Sequence, residues 1–174
     1  MSPIPSHLEN VLFPVGDEND EHYVRGTTRC SCGCERFSIK IYANTENGYP
    51  QVCNYQDGYA LVIKFLCKEC GKEFLIFDMS KHGWNGFVCH DGITVPDEEL
   101  KTWHCPKCSC GNHTAQIGIA SQGKQDFIEE SGLADGETEF NENDWVNAFD
   151  WITIGLKCVE CGHDDERWID YETM

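Results

Sequence analysis

Apolar and polar residues alternate over several short runs, and each such run predicts a β-strand with one buried face. In "RFSIKIY" the apolar positions are Phe37, Ile39 and Ile41; in "AQIGIA" they are Ile117 and Ile119; in "WITIGLK" they are Ile152, Ile154 and Leu156. The runs "YALVIKFL" and "EFLIFD" are almost continuously apolar, the pattern of strands that lie centrally in a sheet. Helical periodicity is scarce. One short helix is predicted in "VPDEELKTW", where Pro96 opens the run and Asp97, Glu98 and Glu99 occupy a first turn that favours negative charge.

These strands recur in order. A shift of 78 positions, 108 minus 30, lays Cys30, Cys32 and Gly33 on Cys108, Cys110 and Gly111, and "ERFSIKIY" on "HTAQIGIA". Downstream, "FLCKECGKEFLIFD" resembles "LKCVECGHDDERWIDYE". Each half therefore reads CxCG, strand, insertion, strand, CxxCG, strand, which is the signature of an internal repeat.

The repeat accounts for most of the 12 cysteines in the 174 residues. Two thiolates in a tight turn can reach one cation at about 2.3 Å, and two such turns complete a tetrahedron. A glycine after the second cysteine lets the backbone fold back so that its N–H groups face the sulfurs. Cys67/Cys70 and Cys158/Cys161 have this form, followed by Gly71 and Gly162. The same glycine rule selects Cys30/Cys32 over Cys34, which precedes Glu35, and the repeat selects Cys108/Cys110. Cys105 aligns with Thr27, yet "CPKC" is itself a common metal knuckle, so Cys105 and Cys34 stand as alternative ligands.

The paired cysteines, their glycines and the flanking strands resemble the zinc ribbon group, in a tandem arrangement of bacterial kind. The likeness covers residues 28–80 and 103–173. It implies a mainly β chain built of two zinc-ribbon-like units packed together, with Zn2+ as cofactor, two per chain. Four cysteines leave no open coordination position, so such sites are structural. The expected organisation is an N-terminal arm over 1–27, a first repeat over 28–95, a connector helix over 96–104, and a second repeat with an acidic insertion over 105–174.

Charge narrows the function. The formal net charge of −17 repels phosphate backbones and argues against nucleic acid as a partner. A local basic patch around Arg25, Arg29, Arg36 and Lys40 keeps a nucleic-acid-binding ribbon as the alternative. "MSPIPSHLENVLF" has neither a basic nor an apolar leader region, which predicts a cytoplasmic protein with reduced thiols rather than a disulfide scaffold. The longest apolar stretch is interrupted by Lys64, so no membrane span is expected.

Two segments stand apart from the repeat. The insertion "GKQDFIEESGLADGETEFNENDWVNAFDW" is acidic and carries Phe127, Phe140, Trp145, Phe149 and Trp151; its aromatics are expected to pack over one end of the sheet, with a partner-binding surface as the other reading. The loop "FDMSKHGWNGFVCHDGI" holds His82, Trp84, Cys89 and His90. It predicts a closed glycine-rich loop with Cys89 buried, and otherwise a third metal site or a thiol with an acid/base partner. With no phosphate loop, G-x-S-x-G or H-E-x-x-H motif, the leading expectation is a non-enzymatic module that binds another protein through its acidic surface.

Overall fold

The alternating runs become strands in a computed structural model that describes residues 3–174. In chain order they are β1 (Leu12–Pro14), β2 (Tyr23–Thr28), β3 (Phe37–Tyr42), β4 (Cys53–Tyr55), β5 (Gly58–Ala60), β6 (Val62–Cys67), β7 (Glu73–Asp78), β8 (Lys101–Thr102), β9 (His113–Ala120), β10 (Trp151–Cys158) and β11 (Asp164–Glu172). Nine of them form one curled antiparallel sheet; β4 and β5 form a separate hairpin. Phe37, Ile39 and Ile41 on β3, and Ile152, Ile154 and Leu156 on β10, face the same core. Period-two alternation therefore sets which face of the sheet is buried.

The sheet is built of two three-stranded units that share an exchanged edge. β3, β6 and β7 run as one meander, and β9, β10 and β11 as the other. The first strands of the two units meet at a single pair, Phe37 with His113. Beyond it each takes up a strand from the other half. β2, which leads into Cys30, pairs with β9 from Tyr23↔Ala120 to Thr27↔Gln116. β8, which leads toward Cys105, pairs with β3 at Lys40↔Thr102 and Ile41↔Lys101. The halves are related by an approximate twofold exchange of lead-in strands, and one core cluster runs through both.

Three expectations change. The N-terminal arm over 1–27 is largely part of the fold: Leu8, Val11 and Leu12 are buried, β1 and β2 extend the sheet, and Met1 and Ser2 lie outside the described residues. The connector over 96–104 is no helix but one 3₁₀ turn, Asp97–Glu99, followed by β8. Pairing with β3 outweighs the weak helical preference of so short a run, in which Lys64 binds Asp97 at 2.6 Å. Among the described residues the one α-helix is instead α1 (Lys124–Glu130), within the acidic insertion.

The insertion and the glycine-rich loop pack on each other. Phe127, Trp145, Val146 and Ala148 are buried against Trp84, Phe87, Val88 and Phe140, and Trp84 meets Phe127 edge-on. The loop turns at Gly83, whose φ of +71° and contact with the Thr173 side chain leave no room for a Cβ. Asn85 N–H donates to the Thr173 carbonyl at 2.8 Å and Trp84 N–H to that of Phe149 at 3.0 Å, so this second core is tied to the C-terminal strand. It lies where β7 ends and β10 begins, about 20 Å along the strands from the cysteine turns.

His82 does not face Cys89. Its ring stacks on His7, centroids 3.6 Å apart, while its Nδ1 accepts from Asp78 N–H and His7 Nε2–H donates to the Ile76 carbonyl. Burial lowers His7 to about 4 and His82 to about 2, the latter also through the neighbouring His7 and Lys81. Both rings are therefore neutral in the native state, and the unfolded chain binds more protons below pH 6.5. Their contribution to stability is present above pH 6.5 and is lost as the pH falls toward 4, at about 1.4 kcal/mol per pH unit for each ring. Urea unfolding at pH 7 and pH 5 is expected to show a smaller acid loss for His7→Phe than for the unaltered protein; equal losses would remove the pair as the cause.

Candidate metal centres

Each candidate centre is made by two turns at the same end of one three-stranded unit. In the first, Cys30 and Cys32 sit in the β2–β3 connection and Cys67 and Cys70 in the β6–β7 turn. In the second, Cys105 and Cys108 precede β9 and Cys158 and Cys161 lie in the β10–β11 turn. The four sulfurs of each set lie within 4.8 Å of one another. The closest approaches are Cys30 to Cys70 at 3.5 Å and Cys32 to Cys67 at 3.6 Å, matched by Cys105 to Cys161 at 3.6 Å and Cys108 to Cys158 at 3.5 Å.

These distances test what could occupy the centres. Four sulfurs at about 2.3 Å from a tetrahedral ion are separated by about 3.8 Å, whereas a disulfide needs about 2.05 Å. The sets fit one ion each, and a wholly thiolate donor set suits soft or borderline cations. In each set one sulfur is buried and one exposed per turn.

The turns share one backbone plan. Gly71 N–H donates to the Cys67 carbonyl and Gly162 N–H to that of Cys158, both at 3.0 Å; Gly33 N–H donates to Cys30 and Ser109 N–H to Cys105, both at 2.8 Å. The residue after the second ligand has positive φ in all four: Gly33 at 91°, Gly71 at 73°, Gly162 at 72° and Ser109 at 63°. Closing each turn, Cys30 N–H donates to the Cys34 carbonyl and Cys105 N–H to that of Cys110, both at 2.8 Å.

Here the repeated "CSCG" misleads. Cys105, Cys108 and Cys110 answer to Cys30, Cys32 and Cys34, so Cys110 is not a member of the second set and Cys105 is. Asn112 N–H donates to the Cys110 sulfur at 3.3 Å, as Arg36 N–H does to that of Cys34 at 3.4 Å. The glycine rule failed because Ser109 takes the left-handed position that Gly33 takes in the first unit, leaving Gly111 outside the turn. The "CPKC" spacing was the signal for the observed pair.

Electrostatics within the sets favour a cation. At Cys67 burial alone would raise the thiol, but the N–H groups of Cys70 and Glu69 and the adjacent sulfurs hold it down to about 6. The Cys161 N–H leads in holding Cys158 to about 6. Cys32 has a favourable N–H from Cys34, and Cys108 one from Cys110, yet the crowded sulfurs and burial push both up to about 12. Cys67 and Cys158 thus ionise readily, whereas Cys32 and Cys70 in the first set, and Cys108 and Cys161 in the second, resist ionisation beside them. A divalent cation removes that repulsion.

The loop residues are not gathered into either set. Trp84 is half-buried against Phe127, while Cys89 and His90 are exposed, contrary to the expected burial of Cys89. Of the basic residues, Arg25 donates to Gln116, Arg36 pairs with Glu69, Lys40 donates to Thr102 and Arg29 lies over Phe13. Comparison with protein-family models, curated proteins and solved structures returned no match to the chain.

Cys105→Ser protein is expected to retain one metal ion per chain and Cys110→Ser protein two, measured by elemental analysis after loading and desalting. The reverse result would restore Cys110 as the ligand.

Proposed function

We propose that the chain is a non-enzymatic, zinc-braced interaction module, in which two zinc-ribbon-like units hold a surface that binds a basic partner protein. Each four-thiolate sphere would be closed around Zn2+, so the metal would fix the strands without activating water. Structural zinc of this kind contributes apparent free energies on the order of 10 to 16 kcal/mol to folding.

The observation that carries the partner chemistry is the charge of the insertion. Residues 124–150 hold nine acidic side chains and one lysine. Asp126, Glu129, Glu130, Asp135, Glu137, Glu139 and Glu142 are exposed, whereas Phe127 and Trp145 beneath them are buried. The acids are thereby displayed on a packed support rather than on a loose loop. Their field is concentrated enough to act on Asp150, whose carboxyl is pushed up to about 6 by burial first and then by Glu130, Asp126 and Glu172. Such a surface accelerates encounter with a cationic partner and weakens in salt.

Purified protein is expected to carry two zinc ions and to lose its cooperative unfolding transition on chelation. A lysine-rich peptide should bind it in a salt-dependent manner, and neutralising Asp126, Glu129, Glu137 and Glu139 to Asn or Gln should weaken that binding by about tenfold or more. Unchanged peptide affinity in the neutralised protein, or salt-dependent retention of the unaltered protein on nucleic acid, would overturn the partner assignment.

A further inference from the structure

Each metal set has a fifth cysteine beside it, and neither repeat needs it as a ligand. Cys34 follows Cys32 by two residues, Cys110 follows Cys108 by two, and the residue between them is the positive-φ position of the turn. The two sulfurs are held alike, each accepting an N–H from the residue two places on, Arg36 in one case and Asn112 in the other. The Cys34 N–H faces the Cys32 sulfur, and the Cys110 N–H faces that of Cys108.

Each set has two exposed members, Cys32 and Cys70 in the first and Cys108 and Cys161 in the second, and of these only Cys32 and Cys108 stand two residues from the fifth thiol. Cys30 and Cys105 are buried at 2%, while Cys32 and Cys108 are exposed. Cys34 is buried at 9% and Cys110 is intermediate. A solvent-borne oxidant therefore reaches Cys32 or Cys108 before it reaches the fifth thiol. Cysteines two residues apart have Cα atoms separated by at most about 7 Å, and the left-handed bend between them shortens this toward the disulfide range.

We infer that Cys32/Cys34 and Cys108/Cys110 are oxidation-sensitive pairs, each able to form a disulfide that removes one ligand and releases the metal. The inference rests on the zinc-site reading above. The co-reactant is a hydroperoxide. The exposed thiolate attacks the terminal peroxide oxygen, the O–O bond breaks, and an alkoxide, or hydroxide from hydrogen peroxide, leaves and takes a proton from solvent as the sulfur becomes a sulfenic acid. The fifth thiol gives its proton to solvent and, as thiolate, attacks that sulfur; the S–S bond forms, the S–O bond breaks, and the hydroxide that leaves takes a proton back from solvent as water. Two thiols are oxidised and one peroxide is reduced. The centre keeps three thiolates, and a weakened sphere loses its ion.

The test uses full-length, zinc-loaded protein and hydrogen peroxide, with metal content measured first. Two zinc ions before oxidation uphold the site reading; their absence overturns that reading whatever peroxide then does to the thiols. On oxidation, zinc should appear in a colorimetric chelator as each site loses two hydrogen masses without gaining oxygen, and peptide mapping should join Cys32 to Cys34 and Cys108 to Cys110. Reduction by a phosphine in added zinc should restore the starting metal content. Cys34→Ser/Cys110→Ser protein should keep both ions before peroxide, release them about tenfold more slowly, and accumulate oxygen adducts at Cys32 and Cys108. Release at the unaltered rate, disulfides confined to the ligand cysteines, or loss of zinc from the variant before oxidation would overturn the proposal. Should the double variant fold poorly, the disulfide map of the unaltered protein decides alone.

Discussion

Four thiolates within 4.8 Å of one another cannot all remain ionised unless a cation lies among them, and this constraint organises both halves of the molecule. The backbone prepares the turns for it, since N–H groups aimed at sulfur bring Cys67 and Cys158 to about 6. The same crowding holds Cys32 and Cys108 near 12, so the turns are arranged for four thiolates while their mutual charge opposes that state. A metal ion would resolve the conflict. Because each set joins the start of one strand to a turn between two others, resolving it would also fix the register of a whole three-stranded unit.

The two units cannot act as separate beads. β2 belongs in sequence to the first unit and pairs with the second, while β8 does the reverse. Separating the halves would strip both exchanged strands from the ladders they complete and expose the interior cluster that spans them. A unit of about 70 residues with one metal is small for independent stability, and the exchange lets two such units share one core.

Much of this was legible in the chain because alternation reports burial directly. Phe37, Ile39 and Ile41, and Ile152, Ile154 and Leu156, identify the core faces of β3 and β10 without any knowledge of pairing. Strand exchange was not legible: β8 has two residues, and nothing in "KT" states that it pairs with Lys40 and Ile41. The third knuckle was obscured by sequence identity itself. "CSCG" is the same tetrapeptide at both places, yet its first two cysteines are ligands in one unit, while in the other only Cys108 is. Positive φ was the physical requirement, glycine only its usual bearer, and Ser109 meets it in the second unit.

The acidic insertion and the cysteine turns are separated along the strands. Zinc in both four-thiolate sets would leave each centre about two units negative, on a chain already at −17. Concentrating more acids beside the knuckles would oppose ionisation of the sulfurs. The chain places its acidic insertion, residues 124–150, at the far end of β7 and β10 and seats it on a core of its own, anchored through Trp84, Phe149 and Thr173. A second acidic run, Glu160 to Glu172, leads from the β10–β11 cysteine turn along β11. The knuckles carry both signs, Lys68, Lys72 and Lys107 with Glu69 and Glu160, and a cation near a thiolate lowers the cost of ionising it. The length of the sheet thus keeps the acids of the insertion away from the cysteine turns of both units, and under the proposed function it would leave that far surface to a cationic partner while the turns brace the strands.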